Sequence, residues 1–309
     1  MVYILSRELV FGTFHFVRGE KRSAHSPSCS ESNFFNLVQD FHLKGFLASS
    51  EDFDELHCNG TKNLIRGDGK KVFFTFDDGY IEHYDYCSDV LEQFNSRGLF
   101  FPVIDSLINR TLLDVNLIQL ICSIKNYLNT AKEWLNKEEL AGNPLIDSSD
   151  FSPAVFDDST IQYIKRNLQG SPELMSLLED DTNLISRVRD ENINFLENLY
   201  FNYNQACDLQ SRGHIIGGHG DSHQWLTKLT PDILTSELIA SLNLIKDINK
   251  DKKDLNNFFC YPYGLTNEKV SLESLSHFDY CFTTKFGVLT SAKVKEIPRV
   301  DVNILRDFL

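Results

Sequence analysis

Apolar residues fall in short bursts along this chain, and their spacing predicts alternating strands and helices. Residues 9–17 form a β-rich run, bounded by a polar stretch from Arg18 to Ser32. The pattern then predicts a helix over 34–46, ending near Gly45. After the turn at Asp68-Gly69, residues 71–76 (Lys-Val-Phe-Phe-Thr-Phe) are continuously apolar apart from Lys71 and Thr75, the mark of a strand buried on both faces. That run stops at Asp77-Asp78-Gly79. A helix over 82–97 follows, with Val90, Leu91 and Phe94 on one face and Gly98 just past its end. It leads into a second buried strand at 98–104. Strand, helix, strand at this spacing is a βαβ unit, which belongs to a parallel sheet.

From about 112 to 204 the chain is helical in period and rich in charge, with loop-like stretches at 142–144 and 147–153. This segment reads as a helical insertion within a single domain spanning 1–309, because βα alternation resumes straight after it. A strand is predicted at 213–219. Thr230-Pro231 then opens a helix to about Asn249, with Leu234, Leu238, Leu242 and Ile245 on one face. Further strands are expected at 257–260, 280–284 and 296–300. Several βα repeats in roughly 240 residues favour a barrel closed on itself over an open sheet.

Composition narrows the class. The chain has 309 residues, 42% hydrophobic and 24% charged, enough to bury a sizeable core. A net charge of −14 argues against a general binder of nucleic-acid phosphates. No apolar run approaches the roughly 18–20 residues of a membrane-spanning helix. Arg7 and Glu8 break the opening apolar stretch, so no signal peptide is expected. The seven cysteines are odd in number and scattered without a C-x-x-C, which suits free thiols in a reducing compartment. The expectation is a soluble, acidic, cytoplasmic protein.

Three clusters carry candidate chemistry, each just after a predicted strand; in a βα barrel those strand ends share one rim. Asp77 and Asp78 are adjacent carboxylates after a buried strand, where a cation would relieve their repulsion and leave one as a base; the alternative is that they cap the next helix. His219 and His223 are spaced to converge on one ion, or are two unrelated histidines. With Asp78 they offer two nitrogens and one oxygen, a set that keeps positions open as a catalytic zinc site does. Residues 258–264 (Phe-Phe-Cys-Tyr-Pro-Tyr-Gly) fix a rigid turn able to aim a backbone N–H at an oxyanion, or to serve only as an anchored loop.

Together, T-F-D-D-G, H-x-x-x-H and Y-P-Y-G in that order resemble the polysaccharide deacetylases with the NodB homology domain (carbohydrate esterase family 4), over roughly 64–109 and 204–303. The opening FHFVR at 14–18 is similar to the Y-H-x-V start of a branch associated with surface-glycan biosynthesis. The resemblance implies an α/β fold, a distorted (β/α)7 barrel, and hydrolysis of N-acetyl or other acyl groups on a sugar of a glycan precursor. It implies Asp77 as the general base that activates the attacking water. Asp78, His219 and His223 would hold a divalent metal, usually zinc and sometimes cobalt or nickel. The backbone N–H of Tyr263 would stabilise the oxyanion.

The sequence also departs from that family. Many members carry Arg where Cys260 stands, bracing the catalytic Asp, and a late His as general acid. The late segment here, IPRVDVN at 297–303, has no His. Arg299 or Asp301 would restore part of this network, with Arg299 as the brace, and His15 at the end of the first strand would serve as the acid. The other readings keep the fold and change the work: a glycan-binding module without turnover, or a deformylase or other non-peptide C–N hydrolase. The absent export signal favours a nucleotide- or lipid-linked sugar at the cytoplasmic face of the membrane as the carbohydrate partner. Oligomeric state is left open.

Overall fold

The computed structural model describes residues 7–18, 28–116 and 198–308. Their strands are β1 (Glu8–Phe14), β2 (Phe16–Arg18), β3 (Ser28–Ser30), β4 (Lys70–Asp78), β5 (Gly98–Pro102), β6 (Ile215–Ile216), β7 (Phe258–Cys260), β8 (Tyr280–Phe286) and β9 (Glu296–Asp301). Seven form one parallel sheet in the order β6-β5-β4-β1-β9-β8-β7, while β2 and β3 pair separately. The two sheet edges meet where Gly218 pairs with Phe259. There the Gly218 N–H donates to the Phe258 carbonyl at 2.9 Å and the Cys260 N–H to the Gly218 carbonyl at 2.8 Å. The sheet therefore curls into a nearly closed barrel of the distorted (β/α)7 kind.

Closure depends on backbones passing without side chains between them. A Cβ on Gly217 would lie 2.4 Å from the Phe101 ring and 2.9 Å from the Phe258 carbonyl oxygen. Gly217→Ala is expected to destabilise the fold by about 1–3 kcal/mol through overpacking. The check is a lower urea midpoint with unchanged m; a midpoint equal to that of the unsubstituted protein would contradict the close approach.

The period-2 alternation of strands sorts the core into two layers. Val10, Phe14, Val72, Phe74, Phe76, Phe100 and Val300 pack with Phe34, Leu37, Val38 and Phe41 of the helix Glu31–Leu43. The alternate residues Leu9, Phe11, Phe73, Leu99, Phe101, Phe258, Phe282 and Ile297 form the second layer, inside the barrel, with Phe53 and Leu56 of the helix Ser50–Asn59. Continued along the strands, this inward register reaches Thr13 on β1, Thr75 and Asp77 on β4, Cys260 on β7 and Arg299 on β9. All five are buried. The interior thus turns from aromatic to polar toward the strands' C-terminal ends.

Some predicted elements differ. The helix expected over 82–97 begins as a π-turn, His83–Cys87, and continues as α-helix only over Ser88–Gln93. The strand expected at 213–219 shrinks to β6, because the glycines after it serve closure rather than ladder pairing. By its internal contacts the chain divides into one unit of 1–20, 28–111 and 200–309, which holds the barrel, and a second of 21–27 and 112–199. Of the insertion expected at 112–204, residues 117–197 lie outside the described ones, and its last two open the barrel unit's helix Tyr203–Ser211. Among the described residues no helix is long and apolar enough to cross a membrane.

Candidate active site

Adjacent residues of a strand face opposite sides, so Asp77 and Asp78 serve two different neighbourhoods. Asp77 points inward, where Arg299 from β9 meets it with both arms: Nη1 donates to Oδ1 and Nη2 to Oδ2, each at 2.8 Å. The guanidinium is itself fixed, with Nε donating to the Thr283 carbonyl at 2.9 Å and Nη1 to the Thr75 hydroxyl at 3.2 Å. Nη2 also reaches the Cys260 sulfur at 3.2 Å. Burial alone would push the Asp77 carboxyl up, but the Arg299 charge and its hydrogen bonds overcome this and hold it down at about 2. Asp77 is therefore a buried carboxylate that stays ionised across physiological pH.

Asp78 ends β4 with φ at 69°, left-handed backbone that a non-glycine residue rarely adopts. Its Oδ2 accepts from the Tyr80 hydroxyl at 2.9 Å. Its Oδ1 is buried and has no hydrogen-bond partner, and it faces Nε2 of His219 at 3.4 Å and Nε2 of His223 at 3.2 Å. Nδ1–H of His219 donates to the Cys260 carbonyl at 2.8 Å, so the neutral ring would turn the lone pair of Nε2 toward Asp78; burial lowers this imidazole, but Cys260 and Asp78 outweigh burial and raise it well above the ordinary histidine range. His223 also has a left-handed backbone, with φ at 56°. Burial pushes its imidazole below the ordinary histidine range, against the pull of Asp78, and so favours the neutral ring a metal needs.

These three ligand atoms lie within 4.8 Å of one another. An unpartnered buried carboxylate oxygen facing two imidazole nitrogens is costly in a protein interior and natural around a divalent cation. The donor set, two nitrogens and one oxygen, fits zinc with positions left open. The residues present fit a metal.

Tyr263 lies in the turn Pro262–Gly264 with φ at 60°. Its ring stacks on Trp225, centroids 4.1 Å apart and 7° from parallel, and lies 4.7 Å from the His223 ring. His15, in the bend after β1, brings Nε2 to 3.8 Å from Asp77 Oδ2 with 46% of its side chain exposed. His83 from the π-turn holds this bend by donating Nε2–H to the His15 carbonyl. Burial pushes His83 down to about 4, so the ring is neutral.

Of the sequence-predicted residues, Asp77, Arg299 and His15 therefore meet at one carboxylate, and Asp78, His219 and His223 at one point beside it. Asp301 does not join them. Its Oδ1 accepts from the backbone and side-chain nitrogens of Asn303, so it caps the final helix, and Arg299 is the one of the two that reaches Asp77. The sequence assigns no role to Tyr80, to His83 or to Thr75, although Thr75 opens the T-F-D-D-G motif. Their signal is weak: Thr75 interrupts an apolar inward stripe, and Tyr80 directly follows D-D-G.

Known proteins share this fold and part of this sequence. Residues 192–281 match the family model described as polysaccharide deacetylase, a span that includes His219, His223 and Tyr263; Asp77 and Asp78 join them through the fold. No curated protein matches the chain. Among solved structures, the Streptococcus pyogenes deacetylase PplD in complex with acetate is similar with a TM-score of 0.57 at 12% identity, over 96% of this chain and 92% of that one. The de-N-acetylase from Aggregatibacter actinomycetemcomitans gives 0.55 at 14% identity, over 98% and 100%. IcaB from Ammonifex degensii gives 0.54 at 15%, over 97% and 95%. The chain thus shares the fold of these deacetylases, and its residues 192–281 match the polysaccharide deacetylase model.

Proposed function

We propose that the chain is a metal-dependent sugar N-deacetylase in which Asp78, His219 and His223 hold the metal, zinc before cobalt or nickel, and Asp77 is the general base. The observation that carries this reading is the buried, unpartnered Asp78 Oδ1 facing two imidazole nitrogens, next to a carboxylate locked in its ionised form. When bound, the metal supplies a Lewis acid for the acetyl carbonyl and acidifies water at neutral pH.

The chain's own groups do the rest. Asp77, held by Arg299, accepts the proton of the attacking water. Tyr263, clamped by its stack on Trp225, offers its backbone N–H to the oxyanion. His15, near the same carboxylate and open to solvent, delivers a proton to the departing amine. The products are acetate and a free amino sugar. The matched polysaccharide deacetylase model and the de-N-acetylase of the same fold support an N-acetylated sugar as substrate, and the FHFVR resemblance at 14–18 favours a surface-glycan precursor as its source.

The test is acetate release from a panel of N-acetylated sugars by zinc-loaded and chelator-stripped protein. His15→Ala is expected to lower turnover by about 10², the lower end for a general acid, because solvent can partly replace an exposed group. Its zinc content should be unchanged. An unaltered rate would remove His15 from the mechanism.

A further inference from the structure

A buried carboxylate outside the motifs governs how the two histidines are presented. Glu237 lies on the buried face of the helix Pro231–Ile248, beside Leu234 and Leu238. It is only 6% exposed, an unusual place for a glutamate. Its Oε2 accepts from the backbone N–H of Asp221 at 2.6 Å and from that of Ser222 at 3.2 Å. Its Oε1 accepts from the Ser222 hydroxyl at 2.5 Å, the short contact of a charge-assisted bond. Among the described residues, the donors to Glu237 come from the stretch that separates His219 from His223.

The same stretch is held from the other side. The Ile104 N–H donates to the Gly220 carbonyl at 3.2 Å and the Asp105 N–H to the Asp221 carbonyl at 2.9 Å. Gly220, with φ at 83°, is closely packed here: a Cβ there would come 3.1 Å from Glu237 Oε2, which would have to shift by a few tenths of an ångström. Three residues that would relax freely in a loop are thereby fixed, and the chain enters His223 in its left-handed conformation. That conformation is strained for a residue with a Cβ and persists only where the surroundings impose it.

We propose that Glu237 is a positioning residue for the metal site: it shapes the 220–222 loop so that Nε2 of His223 converges with Nε2 of His219 on Asp78. The inference rests on the reading that these three residues hold a metal. Its consequence is that metal affinity, and not only fold stability, depends on a side chain that touches none of the ligating atoms.

The test is zinc affinity by chelator competition, with circular dichroism showing that each protein is folded under the assay conditions. Glu237→Gln keeps the volume but faces N–H donors with an amide, and is expected to weaken zinc binding about 10- to 100-fold, as loss of an outer-shell partner does. Ser222→Ala removes one of the three donors and is expected to weaken it less, by about threefold to tenfold. A folded Glu237→Gln protein with unchanged zinc affinity would overturn the inference, whatever its melting temperature. If Glu237→Gln does not fold, Ser222→Ala decides, and equal affinity there overturns it. If the unsubstituted protein binds no zinc, the metal reading itself fails and the inference falls with it.

Discussion

Asp77→Asn is expected to cut acetate release toward the upper end of the about 10²–10⁴ range that general-base catalysis supplies, while zinc content stays the same. The two halves of that outcome have separate causes. Asparagine keeps the shape of aspartate but has no anionic oxygen to take a proton. The groups that face the metal position belong to Asp78, His219 and His223, whose Oδ1 and two Nε2 atoms meet without Asp77. A price in stability is also expected, since the Arg299 guanidinium would stay buried without its counter-charge. Activity must therefore be compared below the unfolding transition. Loss of zinc with loss of rate would mean that Asp77 is a ligand, and an unchanged rate would remove it as the base.

Removing Arg299 has the larger effect on the fold. Arg299→Met preserves bulk in the barrel and leaves Asp77 buried without its guanidinium partner, at an expected cost of about 3–5 kcal/mol at neutral pH. The sign of its pH dependence follows from the carboxyl. In the unsubstituted protein Asp77 is held down at about 2 from an ordinary 3.8, so its contribution is full above about pH 4 and is lost as pH falls through 2. In the variant, burial acts unopposed by the guanidinium, the carboxyl moves above its ordinary value, and the penalty grows as pH rises past that value. The stability gap between the two proteins is expected to be wide at pH 7 and to narrow toward pH 3. Urea unfolding at both pH values measures it, and an equal gap at both would contradict the account. The acid limb of kcat/KM should move to higher pH in the same variant, because the base would hold its proton longer.

The barrel was legible because its strands announce themselves. Residues 71–76 and 98–102 are too apolar for anything but strands buried on both faces, and the β4-to-β5 register carries Asp77 and Asp78 to the sheet's end. The chemistry-bearing side chains were legible for the same reason: each sits where a buried run stops. What the sequence hid are relations across the barrel. Cys260 leaves space on β7, and Arg299 fills it from β9, two strands away; only the strand order shows that the two share one carboxylate. Asp301 lies two residues beyond Arg299 on β9, on the same face by the strand's alternation, yet its oxygen is taken by Asn303. Glu237 was invisible because its helix reads as an ordinary apolar face, and a single buried glutamate on it has meaning only once the loop opposite is in place. The π-turn at 83–87 was missed because apolar spacing alone does not register the wider turn that carries His83 inward.

The most direct test of the account is zinc bound per chain, by elemental analysis of the purified protein after incubation with zinc and removal of the excess, in parallel with His219→Ala. The account predicts about one equivalent in the unsubstituted protein and its loss in the variant. No zinc in the unsubstituted protein, or the same amount in both, would contradict a metal held by Asp78, His219 and His223.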